Sequence, residues 1–180
     1  YELEQQIQGI FHKRVKLRSG GSLVIEPTEA MVVIDVNSGQ FTRGGDIDGT
    51  ALSTNLEAAS EIVRQLVLRD IGGLVAIDFI DMRSKENMRK VEKKLKDCFK
   101  NDRAHLVMGR ISQFGILELS RERLSSTLLE KSFVGCPACE GTGLVRSVES
   151  SAFAALREIQ LFLTRNTSKE VRAELPPDVA

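Results

Sequence analysis

The chain has 180 residues, of which 42% are hydrophobic and 28% are charged, a composition typical of a globular protein with a buried core. Its 25 Lys and Arg residues balance 25 Asp and Glu residues, which excludes a bulk positive field as the means of holding nucleic acid. No apolar stretch approaches the roughly 20 residues of a membrane span. Three cysteines and no secretory signal predict a reducing, cytoplasmic location.

The first predicted elements are a short helix and a β-hairpin. Residues 2–11 have helical apolar spacing and are interpreted as a linker helix. Residues 15–17 and 22–26 flank a turn at 18–21 that contains two glycines, which predicts the hairpin. The sequence begins at Tyr1 in the middle of a helical pattern, which favours a piece of a longer protein.

Two apolar, β-branched runs at residues 31–36 and 74–78 carry Asp35 and Asp78 near their C-terminal ends. The clearest helical pattern, at 50–70, separates them, so we expect parallel neighbouring strands joined by a crossover helix. Asp35 and Asp78 would then lie side by side and repel each other unless a hard cation such as Mg2+ bound them. The alternative is that each aspartate caps a turn.

Two further polar residues follow these strands. Asn37 is a candidate for orienting a metal-bound water or contacting the scissile phosphate, and an Asx turn is an equally good interpretation. Asp81 is a supporting carboxylate or the cap of the next helix. The polar segment 38–49, which holds four of the 14 glycines, would form a loop near this site.

The remaining elements of the first part are a helix at 84–100, capped by Ser84, and strands at 105–108 and 114–119. The helical period puts Cys98 on the buried face and the lysines on a solvated face rather than in an RNA groove. His12 and His105 are interpreted as non-catalytic. Four arginines near strand ends are candidates for phosphate contacts: Arg43, Arg110, Arg121 and Arg123.

Cys136 and Cys139 form a CxxC loop among glycines, which lets both sulfurs approach one ion. A redox role would need this motif at a helix N-terminus after a strand, whereas structural zinc needs four ligands and this loop offers two. Cys98 or a histidine is one source of the missing ligands, although Cys98 is predicted to be buried. A symmetric partner would complete four thiolates across a dimer. The helix predicted at 148–165 then belongs to a small domain or a partner surface.

Several motifs in one order resemble the ribonuclease E/G family: Asp35-Val-Asn37-Ser38, TNLEAA at 54–59, RQL at 64–66, LRDIGG at 68–73, IDFIDM at 77–82, and CPAC with its trailing EGTG. The resemblance implies a bacterial endoribonuclease that cleaves single-stranded RNA in mRNA decay and in rRNA or tRNA processing, leaving a 5′-phosphate. It assigns Mg2+ to Asp35 and Asp78 with Asn37 in support, and Zn2+ to Cys136 and Cys139 between two protomers. It also implies homodimers, and tetramers built as dimers of dimers.

The predicted fold class is α/β (α+β), with a mixed sheet flanked by helices in a deoxyribonuclease I-like domain. The predicted parts are a linker helix and entry hairpin at 1–21, a catalytic domain at 22–130, a zinc link at 131–146 and the start of a small domain at 147–180. The resemblance places an S1 domain, a ribonuclease H-like part and a 5′-monophosphate sensor before Tyr1, and membrane association outside this sequence. We therefore expect weak cleavage or none from this chain. The alternative function is a zinc-dependent assembly module whose acids are structural.

Overall fold

The computed structural model describes residues 8–39, 47–125, 127, 132–139, 141–165 and 171–174. Most of the predicted helix at 2–11, most of the glycine-rich segment after residue 38, and Arg43 lie outside these residues. The elements in chain order are β1 (Arg14–Lys16), β2 (Ser22–Pro27), β3 (Val32–Asn37), α1 (Ile47–Leu68), β4 (Gly73–Asp78), α2 (Lys85–Cys98), a 3-10 turn (Phe99–Asn101), β5 (Leu106–Met108), β6 (Ile116–Arg121) and α3 (Val148–Arg165).

The six strands form one mixed sheet in the order β1-β2-β3-β4-β6-β5. β3 and β4 are parallel and are joined through α1, whereas every other neighbouring pair is antiparallel. The predicted mixed α/β class, the entry hairpin and the parallel pair are confirmed. The deoxyribonuclease I-like description and the division into residues 1–21, 22–130, 131–146 and 147–180 stay predictions.

The limits of some elements differ from the predicted ones. The last strand begins at Ile116 rather than at residue 114, because Gly115 closes a tight turn in which its N–H donates to the Ser112 carbonyl. Phe114 is therefore 72% exposed instead of lying in a strand. Ser84 is the N-cap of α2 as predicted, although its side chain makes no capping hydrogen bond.

Alternation along the strands gives the sheet an apolar inner face. Eight inner-face side chains, none more than 5% exposed, are Leu23, Ile25, Ile34, Val36, Val75, Ile77, Leu117 and Leu119. They belong to one cluster with buried residues of α1, such as Ile62 and Leu66, and of α2, such as Val91 and Leu95. Each such side chain contributes roughly 1.5–3 kcal/mol when it leaves water. Burial of this face therefore fixes which side of each strand meets the helices.

The inner face ends in a buried ion pair at Arg121, which is 2% exposed. Its guanidinium donates to both oxygens of Asp102, at 2.7 and 3.0 Å, and to the carbonyl of Ile71 at 2.8 Å. These bonds hold the pKa of Asp102 below its ordinary value, with the hydrogen bond from Arg121 as the largest cause. The prediction that Arg121 contacts phosphate is therefore wrong, since its guanidinium is buried and hydrogen-bonded to Asp102 and to the Ile71 carbonyl.

The chain divides into two compact units, Tyr1–Phe133 and Val134–Ala180. The first holds the sheet with α1 and α2, and the second holds the CxxC loop and α3. The predicted limits of α3 are confirmed, and none of its residues is buried. No helix in the described part of the chain has both the length and the apolar composition needed to cross a bilayer.

Candidate active site

The predicted meeting of the two aspartates is present in the sheet. Asp35 and Asp78 are direct partners in the parallel pairing of β3 and β4, whose backbones lie about 4.8 Å apart in a sheet. Both side chains lie on the outer face, because their neighbours Ile34 and Ile77 are fully buried on the inner one. Asp35 is half-buried and Asp78 is exposed. The parallel register therefore places two carboxylates side by side, at the last residue of β4 and two residues before the end of β3.

Asn37 is tied to this pair through its side chain. Its Nδ2 donates to Oδ2 of Asp35 at 2.7 Å, and it is the last residue of β3 rather than part of a turn. The amide is thus an orienting group for the Asp35 carboxylate, and its carbonyl oxygen stays available to accept a hydrogen bond from water. The structure brings Asp35, Asn37 and Asp78 together, and their catalytic roles stay predictions.

The electrostatics of the pair are unfavourable without a cation. The pKa of Asp78 is raised above its ordinary value, first by desolvation and then by the nearby charges of Asp35 and Asp81. In the described part of the chain, no side-chain or backbone donor hydrogen-bonds to the Asp78 carboxylate. A carboxylate that capped a turn would accept such bonds, so the local chemistry of Asp78 favours a cation ligand.

The segment after Asp78 is held by Asn55, a fully buried residue of α1. Its Nδ2 donates to the Ile80 carbonyl at 2.8 Å, and its Oδ1 accepts from the Ile80 N–H at 3.1 Å. The amide therefore fixes both polar groups of one residue between Asp78 and Asp81. No role was predicted for Asn55 from the sequence, although a polar residue on the apolar face of a helix is a signal that could have identified it.

Gly115 leaves room beside the same carboxylates. Its φ is +81°, a region that other residues seldom adopt, and its carbonyl accepts from the Phe79 N–H. A Cβ at this position would lie 3.6 Å from Oδ1 of Asp81 and 3.8 Å from Oδ1 of Asp78. The turn before β6 thus approaches both acids with backbone only. Asp81 is exposed and near Asp78, and its supporting role stays a prediction.

The donor set fits a magnesium ion that keeps most of its water. Among residues 8–39, 47–125 and the other described segments, no group of three or more His, Cys, Asp or Glu side chains converges as a metal site. Mg2+ in proteins is commonly held by one or two carboxylates together with waters and substrate phosphates. Two adjacent carboxylates and an amide oxygen are hard ligands of that kind.

The CxxC loop of the second unit carries two cysteines that could act as metal ligands. Cys136 is exposed and Cys139 is half-exposed, and both are free thiols. Backbone N–H groups of Gly143 and Gly141, then the thiol of Cys136, lower the pKa of Cys139. Both glycines have positive φ, which bends the chain back around this sulfur. The loop therefore favours a Cys139 thiolate, the form that binds zinc.

The other residues considered from the sequence lie outside the aspartate pair and the CxxC loop. Cys98 is only partly buried, and its Sγ lies 3.8 Å from Oγ of Ser60, so it packs between α2 and α1. His12 and His105 are both exposed. Arg110 is exposed near the end of β5, and Arg123 packs against Gly72 and Gly73. The lysines of α2 are exposed on its outer side, as predicted.

Two family profiles match the chain. Residues 1–124 match the ribonuclease E/G family, and residues 135–180 match the thioredoxin-like domain of RNase E/G. The cysteines of this second part lie in a turn well before α3 begins at Val148, and no strand precedes them in the described part of this unit. The arrangement that a thioredoxin-type redox motif needs is therefore not seen among these residues.

Individual relatives match over most or all of the chain. It is 51% identical over 180 residues to ribonuclease E of Haemophilus influenzae and 50% identical over the same length to ribonuclease E of Escherichia coli. It is 38% identical over 159 residues, or 88% of the chain, to ribonuclease G of Salmonella typhimurium. The chain spans 19%, 17% and 32% of these three proteins, respectively. The match over residues 1–124 and these identities show that the chain belongs to the ribonuclease E/G family.

Proposed function

We propose that this chain carries the metal site of an endoribonuclease that cleaves single-stranded RNA in mRNA decay and in rRNA or tRNA processing. The observation that carries the proposal is the direct pairing of Asp35 with Asp78, together with the raised pKa of Asp78. Two adjacent acids without a cation are electrostatically unfavourable, and a ribonuclease family is one in which a cation at such a site has a use. The names of the relatives support RNA as the substrate.

The residues of this chain would bind and orient the reacting groups. Asp35 and Asp78 would hold Mg2+, and the hydrogen bond from Asn37 fixes the rotamer of Asp35. A bound magnesium ion supplies a Lewis acid for a phosphoryl oxygen and lowers the pKa of an attacking water. The Asn37 carbonyl would accept a hydrogen bond from that water. Attack at phosphorus with departure of the 3′ oxygen leaves the phosphate on the 5′ end of the downstream product.

The test compares Asp35→Asn and Asp78→Asn with the parent chain and with Glu118→Gln. Glu118 lies on the same outer face, opposite Ala76, and its replacement removes one carboxylate without touching the pair. Cleavage of a single-stranded oligonucleotide is measured with protein in excess, because weak activity is expected from a chain that spans about a fifth of its ribonuclease E relatives. Products with 5′-phosphates from the parent and Glu118→Gln, and none from either aspartate variant, are expected.

Magnesium titration completes this test where cleavage is slow. The parent and Glu118→Gln are expected to bind Mg2+, and both aspartate variants are expected to lose that affinity at least ten-fold, since one of two direct ligands has become neutral. Equal Mg2+ affinity in all four proteins would overturn the proposed metal site. Cleavage that survives Asp78→Asn would overturn the proposed mechanism.

The CxxC loop supports a second part of the proposal, a structural zinc ion shared between two chains. Cys136 and Cys139 supply two thiolates, so a second copy would complete a closed four-thiolate site. The lowered pKa of Cys139 supports thiolate ligation. The resulting assembly would be a homodimer, and a tetramer would be a dimer of such dimers. The proposed place of action is the bacterial cytoplasm.

The rival function is a zinc-dependent assembly module whose acids are structural. Its support is the second unit, where exposed apolar residues of α3 such as Phe153 and Leu156 lie beyond the CxxC loop. Native mass measurement with zinc analysis separates the two, using the parent and Cys136→Ser/Cys139→Ser. One zinc per two chains, lost with the dimer in the variant, supports the shared site, and one zinc per single chain would overturn it. If the chain acts only as an assembly module, its function is zinc-dependent dimerisation, and Asp78→Asn is expected to leave that function unchanged.

A further inference from the structure

We propose that Arg14 and Lys16 of β1 bind phosphates of the RNA strand that flank the scissile phosphate. The proposal rests on the proposed function, because it places the substrate relative to Asp35 and Asp78. It assigns a binding site for an anionic nucleic acid backbone to the entry hairpin, for which the sequence by itself predicts only a structural role. The path of the strand would then run across the outer face, from β4 and β3 over β2 to β1.

The sheet register aligns these cations with the acids. Arg14 pairs with Val24, and Val24 pairs with Asp35, the direct partner of Asp78. In the adjoining row, Lys16 pairs with Ser22, and Ser22 pairs with Asn37. Directly paired residues point to the same face of a sheet. The row of Arg14 therefore includes the two aspartates, and the row of Lys16 includes Asn37.

The inner-face packing confirms the direction of these side chains. Val15, which lies between the two cations, packs against the core cluster on the inner face, so Arg14 and Lys16 point outward. Two strand spacings separate β1 from β3, which is about 10 Å. A single RNA strand carries a charge at every nucleotide, at roughly 3.4 Å intervals when stacked. A phosphate a few nucleotides from the metal site would thus reach β1.

The charge of this edge suits an anionic strand. Arg14 and Lys16 are exposed, and neither forms an ion pair within the described residues, whereas the preceding Lys13 is paired with Glu26 at 3.3 Å. Val24 and Ser22, which separate the cations from the site, are uncharged. The polyanion would therefore meet a positive edge two strands away from the pair of acids.

A cleft lies between the edge of β1 and α1, and Glu57 and Glu61 are among its lining residues. It has a volume of about 980 Å³, and its lining includes Arg14, Lys16, Arg18 and Arg64. Leu17 and Leu68 contribute apolar surface there, and Glu61 is bound to Arg64 at 2.6 Å. The edge therefore offers both cations and a recess in which an unpaired strand can lie.

A simpler explanation of the two cations is protection of an exposed sheet edge. β1 is the terminal strand of the described sheet, and charged side chains on edge strands hinder edge-to-edge pairing between molecules. That role predicts that their removal promotes association of the protein and leaves RNA affinity unchanged. The proposed role predicts a loss of RNA affinity by a protein whose oligomeric state is unchanged.

The test compares Arg14→Gln/Lys16→Gln with Lys93→Gln/Lys94→Gln, which removes the same charge from exposed positions of α2. The probe is a fluorescent single-stranded RNA of about 12 nucleotides, a length sufficient for one basic groove. Its binding is measured by fluorescence anisotropy without divalent metal over a range of salt concentrations. The β1 variant is expected to bind roughly ten-fold more weakly near 0.1 M salt, and its salt slope is expected to fall by about 1.4, or 0.7 per phosphate contact. The α2 variant is expected to stay within about two-fold of the parent.

A neutral linkage locates the contact on the strand. One methylphosphonate is moved along the probe, and the position at which it weakens binding by the parent marks the contacted phosphate. At that position the additional loss is expected to disappear in Arg14→Gln/Lys16→Gln, because the two partners of one contact are not additive. Arg14→Lys/Lys16→Arg keeps both charges and is expected to restore most of the affinity.

The outcomes separate this proposal from the proposed function. Equal losses in the β1 and α2 variants, or a neutral linkage whose effect is unchanged in the β1 variant, would overturn the phosphate site while the aspartate tests still stand. Failure of the parent chain to bind the probe would also overturn it. Thermal unfolding midpoints and native masses equal to those of the parent are required of each variant, and self-association of the β1 variant with unchanged RNA affinity would support edge protection instead.

Discussion

The two faces of the sheet differ in what they do for the protein. The inner face is a closed apolar layer in which Ile34, Ile77 and Leu117 are fully buried, and it ends in the satisfied ion pair of Arg121. The outer face carries Asp35 and Asp78 side by side, with the pKa of Asp78 raised. One strand thus stabilises the fold with alternate residues and holds a destabilising charge with the others, which is typical of functional sites.

The largest effect on this contrast is expected from Arg121→Met. Asp102, whose side chain is 5% exposed, would keep a buried charge without its partner, which costs about 3–5 kcal/mol of the free energy of unfolding. Chemical denaturation measures this loss. The double variant Arg121→Met/Asp102→Leu is expected to recover part of it, because the buried charge of Asp102 is removed while Asp70 and the Ile71 carbonyl still lose their bonds to Arg121. A single variant as stable as the parent would contradict the structural role of the pair.

This pair also predicts the response to acid. The pKa of Asp102 is lowered by Arg121, so the native state binds its proton less readily than the unfolded state. The stabilisation is therefore present above the ordinary aspartate pKa of about 3.9 and is lost as the pH falls through the lower native value. The double variant is expected to lack this acid-induced loss.

A matched pair of truncations tests the two faces directly. Ile77→Ala removes a fully buried inner-face side chain and is expected to cost about 2–5 kcal/mol through lost burial and a cavity. Leu74→Ala lies on the same strand, but its side chain is 44% exposed on the outer face, so a cost below about 1 kcal/mol is expected. Urea unfolding of both variants measures the difference, and equal costs would contradict the one-sided core.

Asn55→Ala tests the link between the core and the aspartate pair, because the buried amide of Asn55 in α1 holds the segment that follows Asp78. The Ile80 carbonyl and N–H would lose their partner, at a cost of about 1–3 kcal/mol. The Mg2+ affinity is also expected to fall, since the Asp78 end of β4 loses its support. Ser53→Ala, at an exposed position of the same helix, serves as the control and is expected to change neither quantity. If the Mg2+ affinity of Asn55→Ala were unchanged, Asn55 would contribute only to the stability of the fold and not to the metal site.

Asp78→Asn should have the smallest effect on stability and the opposite sign. In the metal-free parent the raised pKa means that the native state retains the Asp78 proton over a range in which the unfolded state has lost it. Stability therefore falls as the pH rises from the ordinary to the raised pKa, and the penalty is complete above it. The variant removes this penalty and is expected to gain no more than about 0.5 kcal/mol at neutral pH, because water screens the exposed group. Thermal scans without metal, repeated at pH 4 and pH 7, check the sign.

The sequence predicted most of this architecture because the residue pattern within each element indicates whether it is a helix or a strand. β3, α1 and β4 have the periodicities of buried strands and an amphipathic helix, so their order implied a parallel pair. The hairpin of β1 and β2 and the limits of α3 followed from turn residues and helical spacing in the same way. The strand before Arg121 was misplaced because Phe114 favours a strand by composition, whereas Gly115 adopts a turn that only the approach to Phe79 explains.

Charged residues were harder to assign than apolar ones. Arg121 looked like a phosphate ligand because its sequence position near a strand end is the same whether it faces solvent or Asp102. Asn55 was overlooked for the related reason that its partner, Ile80, lies 25 positions away in the chain. Local patterns do not specify which distant backbone groups require a partner.

The pair of aspartates shows how the two sources of information divide. By itself, the sequence determined that Asp35 and Asp78 end two similar apolar runs, that Cys136 and Cys139 form a CxxC loop, and that the motifs resemble one ribonuclease family, since these depend only on residue types and spacing. Only the tertiary structure decided that the two acids are direct partners on the open face, and that Arg14 lies in the same row two strands away. The physical reason is register: the pairing of strands depends on the burial of the whole inner face and not on any one strand.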